Sequence, residues 1–370
     1  MLRSHAILLL SALVGAAQNP PARARWEMSF FHDSDESSFS INDLQFGSPL
    51  HGIAVGVLLE NDKARSSAAL TSDGGKTWAF AKLPDGARSA FYLEPAALWL
   101  VAGDAVHKST DGGRKWNRLA KLKGALRVHF LNANRGFAVG VPKKVWETND
   151  GGRKWEEVAA AAEPKSDESR SAYTWIDFVT PNYGLIVGYH QPARRDRGFP
   201  DWMDPEAARA RRQWPSLSLL LQSADGGLTW KAGAASIMGR ITRSRTLPSG
   251  KGLSLVEFED SFEWPSEVYR NDINKRSTER TFREKDRAIT DVALMPDGTG
   301  FLAGHEPPGA LSRLPIPGKV KILTSPDLVV WKEMEVDYRA VARRVWLAAG
   351  PGIGPWAATD TGMILRLTSE

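Results

Sequence analysis

Cysteine is absent from the 370 residues, which excludes disulfides, thiolate metal sites and cysteine nucleophiles. An excess of one charge is lacking too: 48 Lys and Arg stand against 43 Asp and Glu. That surplus is spread over the whole length, so the chain shows no basic stripe of the kind nucleic-acid binding needs. Long hydrophobic runs are missing apart from residues 6–14 (AILLLSALV), about half of what a bilayer-crossing helix requires. With Arg3 before it and Gly15, Ala16 and Ala17 behind, the run reads as a signal peptide over 1–17, cleaved after Ala16 or Ala17, rather than as a short membrane anchor. Residues 18–24 follow as a linker. Without a cysteine behind the run, lipid attachment there is excluded. The mature chain is expected to be periplasmic or secreted, with no membrane span, and held together by packing alone.

What is present is 14 Trp and 33 Gly in a chain that is 42% hydrophobic and 25% charged, a composition suited to a folded core. One octad recurs four times: TSDGGKTW at 71–78, STDGGRKW at 109–116, TNDGGRKW at 148–155 and SADGGLTW at 223–230. A degenerate copy, TSPDLVVW at 324–331, keeps its Thr and Trp and loses the Gly pair. Asp73, Asp111, Asp150 and Asp225 can each accept N–H bonds inside a tight turn, the glycines supply positive φ, and the Trp offers a flat surface for packing. These residues are read as structural.

Short apolar runs bounded by glycine precede most octads: GIAVG at 52–56, GFAVG at 136–140, GLIVG at 184–188 and GFLAG at 300–304. They are too short for helices and read as buried strands. One alternating run lies before each of them and another after it, so the unit is strand A, strand B, strand C, the DGG turn, and strand D starting at the Trp. Four strands in about 40 residues mark a propeller blade. Trp78, Trp116, Trp155, Trp230 and Trp331 count five blades, with Phe282 as the remnant of a lost octad in another. Trp26 is expected to close the last blade as its outer strand, because LTSE at 367–370 stops inside an octad. The expectation is an all-β, seven-bladed, monomeric propeller over 25–370, locked by pairing of its two ends.

These motifs resemble the BNR or Asp-box repeat propellers of the sialidase-like superfamily, and within them the photosystem II stability/assembly factor-like branch. The resemblance implies an extracytoplasmic, non-catalytic module that binds a protein or glycan and needs no cofactor and no metal. The alternative is a glycoside hydrolase. Sialidases of this superfamily add an FRIP-type motif, an arginine triad and a Tyr/Glu nucleophile pair; here SRLP at 312–315 sits late in the chain, and Tyr189, Tyr269 and Glu257 fill the other roles only by free choice.

Insertions fall on the face opposite the octads, at 58–66, 159–170, 189–215, 257–265 and 305–318, and long loops on one face of a rigid scaffold point to binding. The insertion in blade 4 is rich in Arg and Trp and reads as either a lid or a charged surface helix over 204–212. The candidate binding residues are Tyr189, His190, Arg194, Arg195, Arg197, Trp202 and His305.

Overall fold

The computed structural model describes residues 24–191, 215–258, 263–307 and 316–369. Seven sheets of antiparallel four-stranded blades follow one another around an axis, the first six with those strands in chain order. Blade 1 comprises Ser37–Phe46, Gly52–Glu60, Lys63–Thr71 and Ala79–Lys82. Blades 2, 3 and 6 repeat the pattern over 87–121, 125–157 and 288–333. Blade 4 comprises Ser171–Phe178, Gly184–His190, Ser216–Ser223 and Lys231–Ile237, and blade 5 Arg240–Thr246, Lys251–Glu257, Ser266–Asp272 and Ser277–Phe282. Blade 7 combines Val345–Gly350, Ile353–Thr359 and Ile364–Ser369 with the N-terminal strand Ala24–Phe30.

That last pairing closes the ring, running antiparallel from Ala24 opposite Ser369 to Phe30 opposite Ile364. The N-terminal strand is not the outermost, because Glu335–Val336 adds to it in parallel. Nor does Trp26 stand before its strand as the octad tryptophans do: it pairs with Leu367 inside the ladder. It still fills the seam between blades 6 and 7, buried among Phe301, Leu347 and Leu365.

The octads are wedges between blades. In each of the four full copies the leading hydroxyl donates to the Asp at 2.8–3.0 Å and accepts the N–H of the second glycine at 2.7–2.9 Å. The second glycine is required by its neighbour as well as by its φ: a Cβ on Gly227 would lie 2.3 Å from the Phe137 ring of the preceding blade. The octad of blade 6 is better preserved than its sequence suggests. It begins at Ser325 rather than Thr324 and is one residue shorter. Asp327 accepts from the Ser325 hydroxyl and from the N–H groups of Val329 and Val330, with Leu328 at φ 61° in the glycine position.

Phe282 does not replace a lost octad in blade 5. It ends the outer strand and packs toward blade 6, while residues 273–276 form a turn without a Trp. The other correction concerns blade 1, where residues 58–66 are no loop: both strands extend to a two-residue turn with Asn61 and Asp62 at positive φ, as a type I′ hairpin demands.

Candidate functional site

The ends of the second strands carry Tyr189, His190 and His305 to the face with the long connections. On the opposite face the links between the first two strands of each blade are five residues or fewer. Tyr189 lies under the Arg240 guanidinium, 4.3 Å from ring centroid to charge, a cation–π contact. His190 Nδ1 is 3.0 Å from the Ser171 hydroxyl, which donates to the Asp167 carbonyl at 2.6 Å. This ties His190 to the 159–170 connection, whose two short 3-10 turns cover this edge of blade 4. His305 stands apart, two blades on. Burial lowers its pKa first, Asp360 opposes this, and Arg344 adds to it. Among the described residues its Nδ1 has no hydrogen-bond partner, and neither does Glu257 Oε2, while Glu257 Oε1 receives Arg344 Nη2 at 2.7 Å. The two histidines therefore belong to separate clusters, and no group of three His, Asp or Glu able to hold a metal occurs among the described residues. Arg194, Arg195, Arg197 and Trp202 lie outside the described residues.

The axis itself holds a feature that the repeat motifs do not announce. Six of the seven innermost strands carry a bulge at the same place, and the residues just past it are Asp43, Ser89, Arg127, Trp175, Arg243 and Asp291. A bulge re-aims the side chain that follows it, and this repetition assembles a ring. Arg127 reaches Asp43 at 3.4 Å, Arg243 reaches Asp291 at 3.3 Å, and both guanidinium groups lie 4.7 Å from the Trp175 ring. Two residues along, Arg245 pairs with Asp177 at 3.4 Å and also faces Trp175 at 4.6 Å. In that second layer, desolvation of the His129 ring drops its pKa to about 4. Asp177 opposes the shift, and Arg245 and Arg127 reinforce it. Positive and negative charges balance in this plug, and Asp43 and Asp291 also take the N–H groups of Ala90 and Leu347. Charge placed in an innermost strand otherwise made for burial was the available signal, in runs such as ITRSRT and LRVHF.

No family model matches the chain, and no curated protein matches it. Among solved structures it is similar to one titled "YCF48 bound to D1 peptide", at 15% identity with a TM-score of 0.58, over 96% of this chain and 99% of that one. A second, "YCF48 from Cyanidioschyzon merolae", shares 17% identity at a TM-score of 0.58, over 92% and 98%. The WD40 propeller domain of Doa1 matches at 10% identity and 0.55, over 93% and 97%. At these identities the likeness establishes the propeller fold.

Of the residues considered for hydrolysis, Tyr269 has a carboxylate partner: its hydroxyl donates to Glu267 Oε2 at 2.5 Å, and Arg283 and Arg280 reach Oε1 at 3.0 and 3.4 Å. Burial first, then this hydrogen bond, pushes the phenol up to about 12. The pair sits on the third strand of blade 5, away from the axis. Tyr189 and Glu257 contact Arg240 and Arg344, as described above, and belong to different blades. No helix among the described residues is long and apolar enough to cross a membrane.

Proposed function

We propose that this chain is a BNR/Asp-box propeller of the photosystem II assembly factor-like type, a periplasmic or secreted, non-catalytic module that binds a partner protein through its loop-bearing face. The binding residues in this reading are Tyr189, His190, Arg194, Arg195, Arg197, Trp202 and His305, with Arg240 added by its contact with Tyr189. The observation that carries it is the asymmetry of the two faces: short links and wedge octads on one, and on the other every long connection plus a rim bearing Arg240, Arg344 and an unpartnered imidazole nitrogen. Loops on one end of a stiff scaffold can vary without cost to the fold. A propeller of similar architecture has been solved with a peptide bound, which makes a polypeptide the ligand class of choice. The test is a pull-down from periplasmic extract with the intact protein and with a variant whose residues 192–214 are replaced by a short Gly-Ser turn. A partner recovered by the first and lost by the second supports the reading.

A second reading, a glycoside hydrolase of sialidase-like type, has the Tyr269 and Glu267 pair in its favour. The chemistry runs against it: a nucleophile needs its pKa lowered or a free base beside it, whereas here the phenol is held protonated and Glu267 is engaged by two guanidinium groups. Turnover of fluorogenic sialosides or β-glucans that disappears in Tyr269→Phe would establish the hydrolase and overturn the proposal.

A further inference from the structure

The seam between blades 4 and 5 differs from the other six. In those, the second-strand residue at the position of Ile53 is sealed by the wedge of the next blade. Ile53, Trp99, Phe137 and Leu253 are 0% exposed, Trp356 2% and Phe301 4%. Trp116, Trp155, Trp230, Trp331, Trp78 and Trp26 pack in the matching clusters. The equivalent in blade 4, Leu185, is only half-buried. Blade 5 has no octad, and a cleft of about 1050 Å³ opens where its tryptophan would lie. This is at the upper end of the size range of ligand pockets.

The two walls of the cleft are unlike. Blade 4 contributes Leu185, Val187, Leu220 and Ile237. Blade 5 contributes hydroxyls where its siblings are apolar. Thr246 takes the place of Phe46, Tyr92, Phe130, Phe178 and Leu294, and Ser244 that of Leu44, Ala90, Val128 and Val292. Ser254 bonds both Ser244 (3.1 Å) and Asn271, whose Nδ2 donates at 2.7 Å. Hydroxyls at Ser244, Thr246 and Ser254 on one wall, opposite a largely aliphatic wall that also carries Gln222 and Lys231, make an amphipathic cleft and not a packing fault. At its octad-side end stand Lys231 and Arg276, neither in an ion pair among the described residues, while the adjacent Asp272 is taken by Lys275.

We propose that this cleft binds an acidic peptide segment carrying a tryptophan, supplied by a partner protein, with the indole in the seat left by the missing octad. The apolar wall receives the ring, Thr246 and Asn271 meet the peptide main chain, and Lys231 and Arg276 meet its carboxylates. The cleft runs along the seam from Arg276 on the octad side to Met238 and Phe258 at the loop-bearing end and contains none of the binding residues named above, so it stands or falls independently of the function proposed there.

The probe is a labelled peptide, acetyl-Thr-Asn-Asp-Gly-Gly-Glu-Glu-Trp-amide, followed by fluorescence polarisation against the full mature protein. Saturable binding is expected, weakened by about tenfold or more when the peptide Trp becomes Ala. A similar loss is expected in Ala235→Trp, which fills the cleft from its outer strand, and a smaller, salt-sensitive loss in the Lys231→Glu/Arg276→Glu pair. Replacing residues 192–214 should leave the affinity unchanged. Should Ala235→Trp fail to fold, a benzophenone in place of the peptide Trp decides the matter by the position of its cross-link. Labelling on blades 4 and 5 supports the proposal. Equal affinity of the Trp and Ala peptides, labelling on the opposite face, or displacement of the peptide by an oligosaccharide overturns it.

Discussion

Removing the Trp26 side chain tests the closure of the ring at a single residue. Trp26 is 1% exposed, its ring meets Phe301 edge-on at 5.9 Å and 87°, and its indole N–H points to Met334 Sδ at 3.4 Å. Cutting a buried Trp to Ala costs about 3–5 kcal/mol, from lost transfer free energy plus the cavity left behind. Unfolding entropy near 2.1 cal/mol/K per residue gives a domain of this size roughly 0.7 kcal/mol per degree, so Tm should fall by about 4–7 °C. The control is Tyr338→Ala: at 87% exposed, this side chain should change stability by less than about 0.5 kcal/mol. Thermal unfolding followed by far-UV circular dichroism at one protein concentration reads both. A Trp26→Ala protein that melts with the wild type would refute the reasoning, because the seam between blades 6 and 7 would then be shown not to depend on the N-terminal strand.

Further outcomes follow from the turns and the axis. Ser109→Ala should cost more than Asp111→Ala: the first strands the buried N–H of Gly113, at about 1–3 kcal/mol, while the second frees the exposed N–H groups of Arg114 and Lys115 in a cap-like loss near 1 kcal/mol. Urea unfolding of the two variants checks the order. Arg243→Ala leaves Asp291, 3% exposed, without its counterion and should cost about 3–5 kcal/mol, read in the same assay. Asp73, Asp225 and Asp327 are lowered from 3.8 to about 2, the first two by the Thr77 and Thr229 side chains and the third by backbone N–H groups. A folded-state value below the unfolded one favours the fold above pH 3.8 and is lost as pH falls toward 2, so wild-type Tm should drop steeply across that window. His129, lowered from 6.5 to about 4, is held neutral in the fold. Its contribution is complete above pH 6.5 and lost as pH falls through 4, and His129→Gln should flatten the Tm profile between those values.

Much of the architecture was legible because repetition multiplies weak signals. Four near-identical octads showed where the third strand ends and the fourth begins, and the expected pairing of the two ends is found in the ladder between Ala24–Phe30 and Ile364–Ser369. The errors came where a copy had drifted. Anchoring the blade 6 octad on Thr324 hid Asp327, because the turn is one residue shorter and a leucine has taken the left-handed glycine position. Phe282 was mistaken for a remnant because an aromatic near the expected spacing does not reveal which seam it faces. The axial ring left only a faint trace, charge in innermost strands otherwise made for burial, as in ITRSRT and LRVHF. Its residues are of four types over six blades, so self-comparison does not align them, and what they share is a backbone bulge. Of the candidate binding residues, Tyr189, His190 and His305 stand on the expected face. They form two clusters rather than one, since position at the end of a second strand sets the face and not the blade.

Each octad is a wedge, and blade 5, lacking one, leaves its seam open. Replacing residues 271–278 with the octad of blade 3, residues 148–155, puts its Thr and Trp in register, and thermal unfolding is then compared together with solvent exposure at Leu185, the latter by its methyl resonances and a paramagnetic co-solute. A wedge restored to this seam should raise Tm and shield Leu185 as Ile53 and Phe137 are shielded. A folded protein with unchanged or lower Tm, and Leu185 as accessible as before, would contradict this.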